Sequence, residues 1–323
     1  MEVNRFVQPL FRLARRWTKP IRNNSVLEGK VVVITGASSG IGRAAARRFA
    51  ERKCRLVVAA RRSQPLDQAA RECAALGGEA IAVQVDVSDP ESMENLSRRA
   101  VETYGRIDVW VNNAGVSLLA RVDEGPLEAH RKVIETNLLG CLYGARLAVR
   151  IFRKQGRGVL INVSSATGYV GQPYMNAYVA SKFGIRGLSE CIRQELSDYP
   201  EIHVCTVLPG TTDTPFFQHA GNYLGRAVQP LEPITDAQQV ADVIVATVEH
   251  PRREIVVGIA RVLPLLKTIA PGWIETYVGN RVKKRHLRDE PAPLSPGNLF
   301  EPVAEGDSVS GGWRKAPDLR SLK

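Results

Sequence analysis

Between Lys30 and Gly258 the chain alternates short apolar runs with longer stretches whose apolar residues recur at helical spacing. "KVVVIT" (30–35), "CRLVVAA" (54–60), "AIAVQV" (80–85), "IDVWVN" (107–112), "GVLINVS" (158–164), "IHVCTVL" (202–208) and "EIVVG" (254–258) are β-branched runs of strand length. Amphipathic helices are predicted between them over 41–52, 65–76, 90–104, 128–154, 176–197 and 236–250. Strands that are apolar on both sides and joined by crossover-length helices imply a parallel sheet covered on both faces. The expected fold is α/β: a Rossmann-type, doubly wound, predominantly seven-stranded parallel sheet with N- and C-terminal extensions. Ligands of such sheets sit beyond the carboxyl ends of the strands.

The pattern divides the chain into three parts: a basic amphipathic extension over 1–28, an α/β domain over 29–260, and a C-terminal extension over 261–323, irregular or disordered in part. In the first, Phe6, Val7, Leu10, Phe11, Ala14 and Trp17 share a helical stripe with Arg12, Arg15 and Arg16 interspersed. This suits either a membrane surface or packing on the body. "RVLPLLKTIAPGWIETYVGNRVKKRH" (261–286) also mixes apolar and basic residues, with Pro264 and Pro271 forbidding one straight helix.

The formal charge of +11 belongs to the ends. Residues 1–22 carry six basic groups against Glu2, and residues 251–288 carry nine against Glu254 and Glu275, leaving the remainder near neutrality. A nucleic-acid enzyme would carry positive charge around its site as well, so no nucleic-acid partner is expected. No apolar run is long enough to span a bilayer. Five cysteines without a CxxC pair point to buried thiols in a reducing, cytoplasmic setting, with peripheral membrane association left open. Five scattered histidines give no metal site.

Candidate chemistry begins at "TGASSGIG" (35–42), between the first strand and a helix. Gly36, Gly40 and Gly42 let the backbone turn tightly and approach a pyrophosphate, while the helix N-terminus offers unpaired N–H groups. The second strand ends in Ala60, Arg61 and Arg62, with no carboxylate until Asp67. An NAD site would place an acid here. Arginine instead pairs a 2′-phosphate through its planar fork, so NADP(H) is expected over NAD. In "YMNAYVASKFG" (174–184), Tyr174, Tyr178 and Lys182 are spaced by four. A tyrosine of pKa near ~10 is a poor acid/base at neutral pH unless a nearby cation lowers it. Tyr178 and Lys182 can share one helix face. Tyr174 follows Pro173 and precedes Asn176, a cap residue, so it belongs before the helix and on the substrate side. Ser164 and Ser165 close the fifth strand at the ligand end of the sheet, where a hydroxyl can bind a substrate oxygen.

Together these residues resemble the short-chain dehydrogenase/reductase family, classical type, over about residues 29–258. The cofactor motif appears as Thr35, Gly36, Gly40 and Gly42, with Ser38, Ser39 and Ile41 inside it. The NNAG motif is Asn112, Asn113, Ala114 and Gly115. The acidic adenine contact after the third strand is Asp86, with Val87 beside it. Pro209, Gly210 and Thr214 match the segment near the nicotinamide. The resemblance implies a catalytic set of Asn137, Ser165, Tyr178 and Lys182, and selects Ser165 over Ser164. It also implies hydride transfer between nicotinamide and a substrate carbon. Tyr178 would move the proton, Ser165 would polarise the oxygen, Lys182 would bind the ribose and tune the tyrosine, and Asn137 would hold a relay water. Pairing through the two long helices, as a homodimer or homotetramer, is implied in the same way.

Phe216, Phe217, Tyr223 and Leu224 lie in the segment that usually covers the substrate in this family. Leu118 and Leu119 come after NNAG, and Tyr169, Val170, Tyr174 and Met175 lie between Ser165 and Tyr178. An apolar pocket, formed in part by Ser165, Tyr174, Tyr178, Phe216 and Phe217, would take an apolar alcohol or ketone. A non-catalytic NADP-binding sensor or scaffold of the same fold is the alternative; the intact catalytic set argues against it.

Overall fold

A computed structural model describes residues 26–314. The amphipathic stripe expected over residues 6–17 lies outside the described residues.

Seven parallel strands form the central sheet: β1 (Val31–Thr35), β2 (Arg55–Ala60), β3 (Glu79–Gln84), β4 (Val109–Asn112), β5 (Gly158–Val163), β6 (Ile202–Pro209) and β7 (Glu254–Val257). Their spatial order is β3-β2-β1-β4-β5-β6-β7, every neighbour parallel. The period of two decides which residue faces which layer. Val32 and Ile34 of β1 pack with α1 (Gly40–Ala50), α2 (Ser63–Ala75) and α7 (Ala237–Glu249). Val33 points the other way, into a layer built by α3 (Pro90–Tyr104), α5 (Gly140–Gln155) and α6 (Asn176–Glu195). Both layers are dry: Phe49, Trp110 and Phe152 are fully buried.

Local signals set the helix boundaries. Asp89 caps α3 by accepting from Glu91 N (3.1 Å) and Ser92 N (3.2 Å), with Pro90 at the first turn. The helix stops at Gly105, whose φ of 74° is left-handed. The stretch expected as one helix over 128–154 is instead α4 (Leu127–Ile134), a π-helical turn at Glu135–Leu139, and α5. Asn176 is the first residue of α6; its Oδ1 accepts from Ala177 N (2.7 Å) and its Nδ2 donates to Ala120 O (3.5 Å), so it is not the expected cap. Tyr174, at φ 67°, turns the chain just before that helix.

The chain reverses direction between β1 and β4, and the crevice at their carboxyl ends is the switch point of the sheet. Two later segments close over it. Helices α8 (Leu263–Ile269) and α9 (Pro271–Arg285) stand at its substrate end. Beyond them Leu287–Pro291 pairs antiparallel with Arg226–Val228. Residues 292–314 then return across the sheet with almost no regular secondary structure, yet fixed by hydrogen bonds to the domain.

Candidate active site

The phosphate loop is held from behind. Thr35 Oγ1 donates to Val111 O (3.4 Å) and accepts from Asn113 N (3.0 Å) and Ala114 N (3.1 Å). The Asn113 amide donates to Thr35 O (2.9 Å) and Gly36 O (3.3 Å). The NNAG segment and the glycine loop are therefore one rigid unit at the switch point. Gly42 is required there, because a methyl at its Cβ position would lie 2.2 Å from Gly36 O. Thr35 and Gly42 shape the loop from behind, whereas Gly36, Ser38, Ser39, Gly40 and Ile41 line a cavity of about 580 Å³.

That cavity runs the length of the crevice. At one end lie Arg61, Arg62, Asp86 and Val87; Asn113, Ala114 and Gly115 come next, then Pro209, Gly210 and Thr214. At the other end stand Ser165, Tyr178, Lys182, Phe216 and Phe217. Asp86 accepts from Ser88 N (2.9 Å) and Ser88 Oγ (2.7 Å) through one oxygen, with Lys132 3.9 Å from the other. Burial raises its pKa, but the two Ser88 bonds and Lys132 outweigh it and hold the carboxylate ionised.

Tyr178 and Lys182 lie one turn apart on α6. The Lys182 ammonium is 5.4 Å from the Tyr178 ring centroid and donates to Val163 O (3.0 Å). Burial dominates both groups. It pushes the Tyr178 phenol up to about 12, against a hydrogen bond with Ser165 that lowers it, and pulls Lys182 down to about 8. Ser165 also accepts from Thr167 N (3.2 Å) at the start of a short 3-10 turn. Its neighbour Ser164 also borders the cavity, but its hydroxyl donates to Lys182 O (2.8 Å). The two serines thus divide: Ser165 turns its hydroxyl to the acid/base group, and Ser164 holds α6 against the end of β5.

Asn137 sits in the π turn, where the widened backbone turns its amide toward the NNAG segment. Its Oδ1 accepts from Val116 N (2.8 Å), and its Nδ2 donates to Val116 O (3.0 Å) and Ser181 Oγ (3.1 Å). The amide is a clamp on Val116 and does not line the main cavity.

Three expected placements need correction. Tyr174 does not line the cavity; its carbonyl accepts from Ala120 N (2.9 Å), and Met175 and Val170 take the wall position. Tyr169 is withdrawn from it as well, because its hydroxyl donates to Glu254 and its ring stacks under Arg186 at 3.6 Å. Leu118, Leu119, Tyr223 and Leu224 belong to small hydrophobic clusters beside the site.

Two sets of lining residues had not been anticipated. Leu263, Leu266, Ile274, Tyr277, Val278 and Arg281 of α8 and α9 wall the substrate end. Their spacing of three and four is visible in the sequence, but nothing in it says which surface they meet. Asn298, Pro302 and Val303 of the C-terminal return line the opposite end. Nothing in their irregular, Pro- and Gly-rich sequence marks them.

The donor set fits a dinucleotide. Amide donors, guanidinium groups and a carboxylate occupy one end, and an acid/base pair in an apolar setting the other. Two buried hydroxyl oxygens on the cavity wall, Thr136 Oγ1 and Thr167 Oγ1, have no partner among the described residues.

Comparison with known proteins agrees. The short chain dehydrogenase family model matches residues 30–223. The chain belongs to that family. An uncharacterized oxidoreductase, YxnA of Bacillus subtilis, is 37% identical over 251 residues, 76% of this chain and 70% of that protein. The 3beta-hydroxysteroid dehydrogenase 1 of Eggerthella lenta is 37% identical over 191 residues, 58% of this chain and 73% of its own length. Among solved structures, an alcohol dehydrogenase from Thermococcus sibiricus complexed with 5-hydroxy-NADP superposes with a TM-score of 0.64 at 30% identity. That likeness covers 71% of this chain and 96% of the other. This short-chain dehydrogenase is accordingly an oxidoreductase with an NAD(P) site.

Proposed function

We propose that this oxidoreductase interconverts a secondary alcohol and a ketone on an apolar small molecule, with NADP(H) preferred over NAD(H). The observation that carries the reading is Ser165 and Tyr178 together on one cavity wall, with the buried Lys182 ammonium 5.4 Å from the Tyr178 ring, at the floor of a cavity walled by Phe216, Phe217, Met175 and Leu266. A bound nicotinamide supplies or accepts the hydride. The chain's own groups do the rest. Ser165 orients the substrate oxygen. Tyr178 donates its proton to a ketone oxygen, or takes it from an alcohol. Lys182 sets the electrostatics beneath the phenol and offers an ammonium toward ribose hydroxyls. Asn137 positions Val116 and the segment that borders the nicotinamide end. Arg61 and Arg62, with no acid at the end of β2, support the NADP(H) preference.

An apolar substrate is supported by the aromatic wall, in which Phe216 lies 5.4 Å from Tyr178 and 5.5 Å from Phe217. It is supported also by the steroid dehydrogenase named among the relatives. Two further parts of the proposal concern partners. Pairing through α5 and α6 is supported by Leu142 and Phe183, which are exposed on those helices. Peripheral membrane contact is supported by exposed Leu265, Ile269 and Trp273 on α8 and the start of α9, and by Lys283, Lys284 and Arg285 in the last turn of α9. Among the described residues no helix is long and apolar enough to cross a membrane. Salt-sensitive sedimentation with anionic vesicles tests that contact, and no binding by the purified protein ends it.

Tyr178→Phe tests the chemistry. Turnover is expected to fall by about 10²–10⁴-fold while NADPH binding, followed by fluorescence, stays near the wild-type value. Turnover left unchanged would remove Tyr178 from the mechanism.

A further inference from the structure

The two arginines assigned to the 2′-phosphate already have partners. Arg61 donates to the carbonyls of Asn298, Leu299 (3.3 Å) and Phe300 (3.2 Å). Arg62 donates to those of Val303 (3.4 Å), Glu305 (2.9 Å) and Gly306 (3.2 Å), and to Ser38 Oγ (3.3 Å). Arg43 reaches Asp307 O, and Gly40 N, at the N-terminus of α1, donates to Ser308 O (3.0 Å). One continuous segment thus turns its carbonyl oxygens onto the donors that a 2′-phosphate and its neighbours would use.

The segment is anchored at both ends and loosely held between. At one end Ser295 exchanges two main-chain bonds with Asn222, and Leu299 is fully buried beside Val116 and Leu118. At the other, Asp213 accepts from Ser310 Oγ (2.7 Å), Gly311 N (3.1 Å) and Trp313 N (2.9 Å), and Trp313 Nε1 donates to Thr214 O (3.0 Å). Between the anchors, residues 300–308 bury no side chain: Val303 and Gly306 are half-buried and the others exposed. The bonds to the basic groups, with one that His219 Nε2 donates to Glu305 O (3.0 Å), therefore hold this loop down.

We propose that residues 300–308 are an internal placeholder for the 2′-phosphate, occupying Arg62, and Arg61 in part through Phe300, until NADP(H) displaces them, so that this loop tunes the choice between NADP(H) and NAD(H). The inference rests on the proposed NADP(H) preference. Its physical basis is a competition. The loop offers the guanidinium groups neutral carbonyls already in place, whereas the phosphate offers a charged acceptor that each planar fork can grip with two parallel bonds. The phosphate wins, at the expense of lifting the loop. NAD(H) has no 2′-phosphate and competes, through its pyrophosphate, only for the Gly40 N–H that Ser308 O occupies, so it leaves the bonds to Arg61 and Arg62 in place. Apparent NADP(H) affinity scales with the fraction of molecules whose loop is up, and NAD(H) affinity depends on it far less.

Two measurements on the full chain test this. The first uses a glutamate-specific protease, for which the loop holds one cleavable site, Glu305–Gly306, since the Glu301–Pro302 bond resists such enzymes. Saturating NADPH is expected to speed cleavage there by about tenfold and saturating NADH not at all. The second uses Gly306→Val. Gly306 has φ 70°, and a Cβ there would lie 2.2 Å from His219 Nε2, so valine forces the loop off. NADPH is expected to bind this variant about five- to tenfold tighter than wild type, with NADH changed less than about twofold. Equal shifts for the two nucleotides, or NADPH protecting the loop from cleavage, would overturn the placeholder while leaving the NADP(H) preference intact. NADPH binding no tighter than NADH in the wild type and in Gly306→Val alike would remove the 2′-phosphate reading itself.

Discussion

Tyr178 and Lys182 are driven by one cause in opposite directions. Burial favours the neutral form of each, raising the phenol to about 12 and lowering the ammonium to about 8. A phenol that keeps its proton is poised to give it away, so ketone reduction needs no prior ionisation at neutral pH. Alcohol oxidation does. Its kcat is expected to climb steadily from pH 7 to pH 10 while that of reduction does not; parallel profiles in the two directions would contradict this. Lys182 has a stability signature as well. Its folded pKa lies below the ordinary 10.5, so below pH 8 the fold carries a buried charge at a cost. Between pH 8 and 10.5 the unfolded chain binds more protons than the folded one, and stability rises with pH. Wild type should gain up to about 3 kcal/mol over Lys182→Met across that window, read from urea midpoints. Curves that stay parallel would refute the shift. The choice between the two tyrosines was legible from sequence, because helix geometry decides which one shares a face with Lys182. Tyr174's place off the cavity was not. Pro173 announces a turn, closed by Met175 N on Gln172 O (3.4 Å), but a tyrosine at its left-handed position, where Gly or Asn is usual, does not, and that φ reverses the expectation for its side chain.

At the scale of elements, the strands and most helices are read directly from apolar patterning, and the alternation of Val32, Val33 and Ile34 between two layers is the simplest example. The π turn at Glu135–Leu139 was hidden. Its trace is that the buried residues Ala129, Val133, Asn137, Cys141 and Ala145 repeat every four, a stripe that slips by about 40° per step on a helix of 3.6 residues per turn. A wider turn absorbs much of that slip and aims Asn137 at Val116. Asn137→Ala would leave Val116 N–H and C=O without partners in a buried place. It is expected to cost about 2–4 kcal/mol of stability and to lower kcat. Denaturation coupled to steady-state kinetics checks both, and a variant with wild-type stability would show that the clamp is dispensable.

The whole molecule differs from a bare dinucleotide fold in the chain beyond residue 258. Helices α8 and α9 wall the substrate end, and the return over 292–314 covers the adenosine end, so one C-terminal extension closes both ends of a single cavity. The sequence showed the extension's charge and its helical spacing but not its destination. A chain segment that binds through main-chain carbonyls leaves no signature in residue type. The substrate wall is testable at Trp273, which lines the cavity and stacks on Tyr277 with ring centroids 5.3 Å apart. Trp273→Ala is expected to raise KM for apolar ketones by about 5- to 30-fold, equivalent to about 1–2 kcal/mol of lost apolar contact, with kcat nearly unchanged. A fall in kcat at constant KM would place Trp273 elsewhere in the cycle.

The most direct measurement is a panel of ketones supplied in parallel with NADPH and with NADH, monitored by nicotinamide absorbance. The account predicts turnover with bulky apolar ketones, faster with NADPH, and little with short polar carbonyl compounds. A clear preference for the polar set, or for NADH with every substrate, would contradict it.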